Sequence, residues 1–256
     1  MNHIIIGAGV IGKATGKYLE AQNEKVWYYD KNTEICNKLE KDKKLVTYDL
    51  EKTHAVHKID YFWICTAEWN VDEVLKMINE LFAYPKVIIR STISPTQAED
   101  YTKNLKFKFV HVPEFLREAT ATQDVFNNDR IVIGSTSDKL GREIANFFYG
   151  EKIIHCSPVE SSLVKLIANN WLSMQISFWN EMYELMNAYD NTNPQLIANA
   201  VTSDRRISKY GSALIHKPFG GFCFPKDTQA LALEFKQKQL GGYMIAALRI
   251  VNEMIA

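Results

Sequence analysis

Two sets of residues in this chain have types and spacings suited to chemistry. The first is Gly7-Ala8-Gly9-Val10-Ile11-Gly12, the pattern G-x-G-x-x-G, which follows the apolar run His3–Ile6. Asp30 comes 18 residues after Gly12, at the end of a second apolar run, Lys25–Asp30. Between a strand and a helix, Gly7 permits a tight turn and Gly9 lets backbone approach a pyrophosphate at the positive end of the helix. Gly12 lets helix and strand pack closely. Asp30 can accept hydrogen bonds from ribose hydroxyls, and its charge repels a 2′-phosphate, which favours NAD over NADP. Lys31 beside it acts in the opposite direction. A glycine-rich turn that holds no ligand is the plainer alternative.

The second set is Phe219-Gly220-Gly221-Phe222-Cys223-Phe224-Pro225-Lys226-Asp227. A cysteine between paired glycines and a proline is a packing residue, a metal ligand or a nucleophile. An NAD site supplies hydride transfer. Oxidising an alcohol to a ketone needs no cysteine, but carrying an aldehyde on to an acid does. The thiolate adds to the aldehyde, the thiohemiacetal gives up a second hydride, and water hydrolyses the resulting thioester. A free thiol has a pKa of about 8.5, so it needs cationic or donor groups nearby. Lys226 and Asp227 follow directly. Lys165 and Asn169, four apart in Ser162–Asn170, share one helical face and can hold an oxyanion or a water. On spacing alone, a surface lysine and a helix–helix hydrogen bond are the plainer reading.

The elements that must position these groups follow from periodicity. Apolar runs at 3–6, 25–30, 61–66, 86–92, 108–113 and 130–134 alternate with helical patterns such as Val71–Phe82 and Lys139–Phe148. That alternation predicts a parallel sheet covered on both faces, a doubly wound α/β half over residues 1–155. From Pro158 to Ala188 the apolar spacing turns to 3–4 residues, and helices are predicted again at 194–201, 226–236 and 242–255. Residues 156–256 are therefore expected to form an all-helical half.

Composition narrows the function. Thirty Lys+Arg against 30 Asp+Glu leave no net charge, so no electrostatic footprint for nucleic acid or an anionic membrane is expected. No apolar run approaches a membrane span, and the N-terminus enters the first strand without a leader. The expectation is a soluble, unprocessed, cytoplasmic protein. Cys36, Cys65, Cys156 and Cys223 form no C-x-x-C pair and lie beside no histidine cluster, so neither a disulfide framework nor a metal site is expected. Three of them read as small buried hydrophobes.

Six segments, in order, resemble the UDP-glucose/GDP-mannose dehydrogenases: "IIIGAGVIG", "RSTISP", "VPEFLREATATQDVFNNDRIVIG", "SLVKLIANNWLSMQISFWNEM", "SDRRI" and "FGGFCFPKDTQAL". The resemblance implies an NAD-dependent oxidation of a nucleotide sugar's C6 alcohol to a carboxylate. It also implies a Rossmann-type half and a helical dimerisation domain with a long helix from near Gly241. By position, Cys223 resembles the nucleophile, while Lys165, Asn169 and Asp227 resemble the groups that stabilise the oxyanion and place the water. Glu114 resembles the acid/base for thioester hydrolysis, and Thr92 the threonine on the nicotinamide side. Cys65, Thr66, Ser91, Glu118 and Lys226 fall on the cofactor side. Phe115, Leu116 and Arg117 form a substrate strip, with Phe219 and Gly220 also on the substrate side. Arg206 matches an arginine that reaches the sugar across a dimer interface.

Departures from the pattern concern the substrate. The family continues through the long helix into a third domain that grips the nucleotide, whereas this sequence stops at Arg249–Ala256, so a partner chain supplying that domain is one expectation. Val112, Ala119, Ser162, Pro218 and Phe222 replace residues common in the family, which implies retained chemistry with altered substrate recognition. Two other readings stay open. A β-hydroxyacid-type dehydrogenase has the same two-part layout but needs no cysteine. A non-catalytic NAD-binding dimer would bind cofactor without turnover.

Overall fold

The computed structural model describes residues 1–149, 152–214 and 216–255; the side chain of Glu118 lies outside what it describes. The chain divides into two compact units, Met1–Lys165 and Leu166–Ala256.

The first unit is built on an eight-stranded sheet of order β3-β2-β1-β4-β5-β6-β7-β8. Its elements run β1 (Asn2–Ile6), α1 (Val10–Glu20), β2 (Lys25–Tyr29), α2 (Thr33–Lys41), β3 (Leu45–Val46), α3 (Leu50–His57), β4 (Tyr61–Ile64), α4 (Val71–Leu81) and β5 (Val87–Ile89). They continue through α5 (Pro95–Asn104), β6 (Phe109–His111), α6 (Ala121–Asp124), β7 (Ile131–Ser135), α7 (Asp138–Ala145) and β8 (Ile153–Cys156). The apolar strand runs serve both faces through their alternation. Ile5, Trp63, Ile88 and Val110 join one buried cluster. Their neighbours Ile4, Ile6, Phe62, Ile64, Val87, Ile89 and Phe109 join the other. Period-two geometry sends successive side chains to opposite faces, so continuous apolar sequence becomes two cores.

The apolar runs predicted a parallel sheet, but the observed sheet is mixed. β7 pairs antiparallel with β6, His111 opposite Gly134, while β8 returns to parallel pairing with β7. Between β6 and β7 the chain carries only a 3₁₀ turn at Glu118–Thr120 and the four-residue α6, no full crossover helix. An antiparallel neighbour requires none, because the strand starts at the end its predecessor left. Two strands were missed. β3 is two residues long, and β8 is a short, partly exposed edge strand whose apolar run is only Ile153-Ile154.

The long helix α8 spans Pro158–Asn187. Its start is a reciprocal capping box: Ser157 Oγ accepts from Glu160 N–H at 3.2 Å, and Glu160 Oε2 accepts from Ser157 N–H at 2.7 Å. Pro158 holds the first helical position, where its missing N–H costs nothing. Further on lie α9 (Pro194–Val201), α10 (Cys223–Gln237) and α11 (Tyr243–Ile255). The second unit has a small core of Ile176, Phe219 and Leu248, backed by Met174, Leu214, Phe224 and Ile245. Many of its large apolar side chains stay exposed, among them Ile167, Trp171, Phe178, Leu185 and Met254. Among the described residues no helix is long and apolar enough to cross a membrane.

Candidate active site

In the first unit, the β1–α1 turn, the end of β2 and the end of β4 enclose a cavity of about 210 Å³. Gly7, Gly9, Asp30, Lys31, Cys65 and Thr66 line it, with Ala67, Asn70 and Val74 beyond. Gly7 has φ +93°, and a Cβ there would lie 2.8 Å from the Cys65 backbone, so only glycine fits. A Cβ on Gly12 would collide with the Gly7 carbonyl. At Gly9 a Cβ would meet nothing within 4 Å. The space in front of Gly9 is thus open toward a ligand, while Gly12 is closed against its own turn.

Gly9 caps α1 without any side-chain hydrogen bond, and the first turn holds no acidic residue. The N–H groups at that helix start are left for an anion. Val10 is exposed and Ile11 packs against the core. Asp30 is fixed by two backbone donors: Oδ2 accepts from Ala8 N–H at 2.7 Å and Oδ1 from Asn32 N–H at 2.8 Å. The Thr66 hydroxyl is buried with no hydrogen-bond partner among the described residues. An open helix N-terminus, a positioned carboxylate and an unpartnered hydroxyl around one cavity fit a dinucleotide. Ser91 Oγ donates to the Thr66 carbonyl at 2.7 Å and so braces the cavity wall from β5. Cys65 is buried, and burial pushes its thiol up to about 12. It is wall, in keeping with a small hydrophobe.

The loop after β6 carries Glu114, which is buried rather than part of a solvated loop. Its Oε1 accepts from Lys165 Nζ at 2.9 Å and its Oε2 from Leu116 N–H at 2.8 Å; Lys165 also donates to the Glu114 carbonyl at 2.6 Å. Lys165 is 2% exposed, so the surface-lysine reading fails. Its ammonium lies 5.5 Å from the centre of the Phe115 ring, which the Arg130 guanidinium also covers at 4.3 Å. Arg117 is exposed and forked onto Asp124 through two nitrogens at 2.6 and 3.0 Å. Leu116 is buried and Thr92 half-buried in the turn after β5. The side chain of Glu118 lies outside the described residues.

In the second unit, Cys223 is the first residue of α10, where the helix dipole favours negative charge. Asp227 lies one turn on, fully buried. Its Oδ2 accepts from Asn169 Nδ2 at 2.5 Å and its Oδ1 from Lys226 Nζ at 2.5 Å. Asn170 Nδ2 donates to the Asp227 carbonyl at 3.1 Å. Gly221, at φ +71°, turns the chain into the helix. Phe219 is buried, Gly220 is exposed, and Arg206 is exposed and paired with Asp204 at 2.6 Å.

Four positioning groups went unread in the sequence. Asn252 on α11 clasps Phe219: its Oδ1 accepts from the Phe219 N–H at 2.7 Å and its Nδ2 donates to the carbonyl at 3.1 Å. His111 on β6 meets Ser161 Oγ at 2.7 Å, and Ser161 gives its one proton to the Pro158 carbonyl at 2.9 Å. The His111–Ser161 bond fixes the first turn of α8 one turn before Lys165. Arg90 is buried at the end of β5; burial pushes its guanidinium down, while Cys65 and Glu114 draw it back up. Asn252, His111 and Ser161 stand in no recognisable pattern, because each acts by contact with a distant segment, whereas Arg90 opens the segment "RSTISP".

Comparison with known proteins identifies the family and the fold. The model of the UDP-glucose/GDP-mannose dehydrogenase family NAD binding domain matches residues 68–151, and that of the family's central domain matches residues 159–254. A UDP-glucose 6-dehydrogenase of Campylobacter jejuni is 31% identical over 99% of this chain and 72% of its own length. One from Rickettsia conorii is 35% identical over 63% of this chain and 38% of its own length. The solved structure of a UDP-glucose dehydrogenase from Pyrobaculum islandicum superposes with a TM-score of 0.84 at 23% identity, covering 99% of this chain and 68% of that one. A UDP-D-ManNAc dehydrogenase from Pyrococcus horikoshii gives 0.83 at 20% identity, covering 100% and 69%. With an NAD binding domain in its first half and the family's central domain in its second, the chain belongs to the UDP-glucose/GDP-mannose dehydrogenase family.

Proposed function

We propose that the chain is an NAD-dependent nucleotide-sugar 6-dehydrogenase of the UDP-glucose to UDP-glucuronate type, working through a covalent intermediate on Cys223. The observation that carries this is Asp227. A fully buried carboxylate, one turn after the cysteine and held by an amide and an ammonium, has no packing value of its own. It makes sense as part of a charge-handling site.

Bound NAD supplies the hydride acceptor, held by the Gly7–Gly12 turn, Asp30 and Thr66. Oxidation of the C6 alcohol releases one hydride and one proton and leaves an aldehyde. The Cys223 thiolate adds to the aldehyde carbon, and Asn169 and Lys165 donate to the resulting oxyanion. Loss of a second hydride turns that adduct into a thioester. Glu114 takes a proton from the water that attacks it, which frees the carboxylate and restores the thiol. The balance is one alcohol, two NAD and one water to one carboxylate, two NADH and three protons.

We infer that the second unit also dimerises. Its exposed Trp171, Phe178, Leu185 and Met254 leave apolar area that a second copy would cover. Arg206 is then available to a partner's substrate.

The test is NADH formed per UDP-glucose consumed, in the wild type and Cys223→Ser. Two per substrate, stalled in the variant, supports the four-electron reaction. NADH formation that is unaffected by Cys223→Ser sinks the covalent route.

A further inference from the structure

Asp30 and Lys31 give opposite instructions about the cofactor. A carboxylate at the end of β2 suits an unmodified ribose, while a cation there suits a 2′-phosphate. Both line the cavity, and Lys31 is the only cationic residue among those lining it. The structure separates their roles. Asp30 is held toward the glycine turn by Ala8 N–H and Asn32 N–H. Lys31 Nζ instead donates to Glu73 Oε1 at 2.6 Å. Glu73 stands in the first turn of α4, between the cavity-lining Asn70 and Val74.

We propose that Glu73 is a cofactor-specificity residue: by holding the Lys31 ammonium, it withholds the cation that would otherwise receive a 2′-phosphate. The chain thereby refuses NADP with two carboxylates, one at the ribose and one on the lysine. Both partners are more than half exposed, with side-chain accessibilities of 61% and 63%. Surface pairs of this kind add little to stability, so the effect belongs in the ratio of cofactor affinities. The proposal rests on the NAD site described above and adds to it a residue outside the glycine fingerprint.

The experiment is titration of NADH and NADPH by nicotinamide fluorescence at low salt, with the wild type, Glu73→Gln and Glu73→Gln/Lys31→Met. The wild type is expected to prefer NADH. Glu73→Gln should bind NADPH about tenfold more tightly while NADH stays within about twofold, and 0.5 M salt should shrink the gain. Lys31→Met in the same background should abolish it. An unchanged NADPH-to-NADH ratio in Glu73→Gln overturns the proposal, and so does a gain that survives loss of Lys31. A wild-type chain that binds neither dinucleotide removes the cofactor site itself, a result distinct from an unchanged ratio.

Discussion

The Lys165 ammonium donates to both the main-chain carbonyl and the carboxylate of Glu114, 51 positions away, in a pair with side-chain accessibilities of 3% and 8%. Removing one member of a buried pair strands the other charge. Lys165→Met should therefore cost about 3–5 kcal/mol in urea denaturation at pH 7. The double variant Lys165→Met/Glu114→Gln should regain most of that stability while forming no NADH. A single variant as stable as the wild type would show that the pair is not closed in solution.

Gly9 and Gly12 separate binding from folding. Gly12→Ala forces a methyl against the Gly7 carbonyl and should lower stability by about 1–3 kcal/mol. Gly9→Ala meets no protein atom within 4 Å, so its denaturation midpoint should stay put while NADH affinity drops at least tenfold by fluorescence. Equal loss of affinity and stability in Gly9→Ala would place the turn in a different role.

The cysteines should differ in reactivity. Burial pushes Cys65 up to about 12 and Cys156 up to about 11, and Cys36 is fully buried. Cys223 sits half-buried at a helix start. Brief iodoacetamide treatment at pH 8, read by peptide mass spectrometry, should label Cys223 first, with NADH formation lost in step. Labelling of Cys156 at the same rate would remove the distinction.

Two buried histidines make stability depend on pH. Burial lowers His111 to about 3, assisted by Lys165 and Arg90 against the Ser91 backbone, and lowers His3 to about 4 against Glu24. The unfolded chain binds these protons first, at about 6.5. Their contribution is complete above that pH and is lost as pH falls toward the folded values. From pH 7 to pH 5 each should remove about 2 kcal/mol. Urea midpoints across that range should fall, and fall less steeply in His111→Gln. An identical slope would assign the effect to other groups.

Sequence alone determined the parts whose signals are local. The glycine spacing, the aspartate after the second strand and the apolar alternation each depend on a few neighbouring residues, so the Rossmann-type half and its cofactor turn were legible. The helix reading over 158–188 met α8 at 158–187 for the same reason. Lys165, Asn169, Asp227 and Glu114 could be named, but their spacing fitted surface residues as well as catalytic ones. Tertiary structure removed the surface reading through burial, which no local pattern encodes, and showed Asn169 in a helix–helix hydrogen bond with Asp227. It also decided the direction of β7, the clasp of Asn252 on Phe219, the bond from His111 to Ser161, and the capture of Lys31 by Glu73. Each joins residues far apart in the chain, where the geometry depends on how sheet and helices pack and not on any spacing along the sequence.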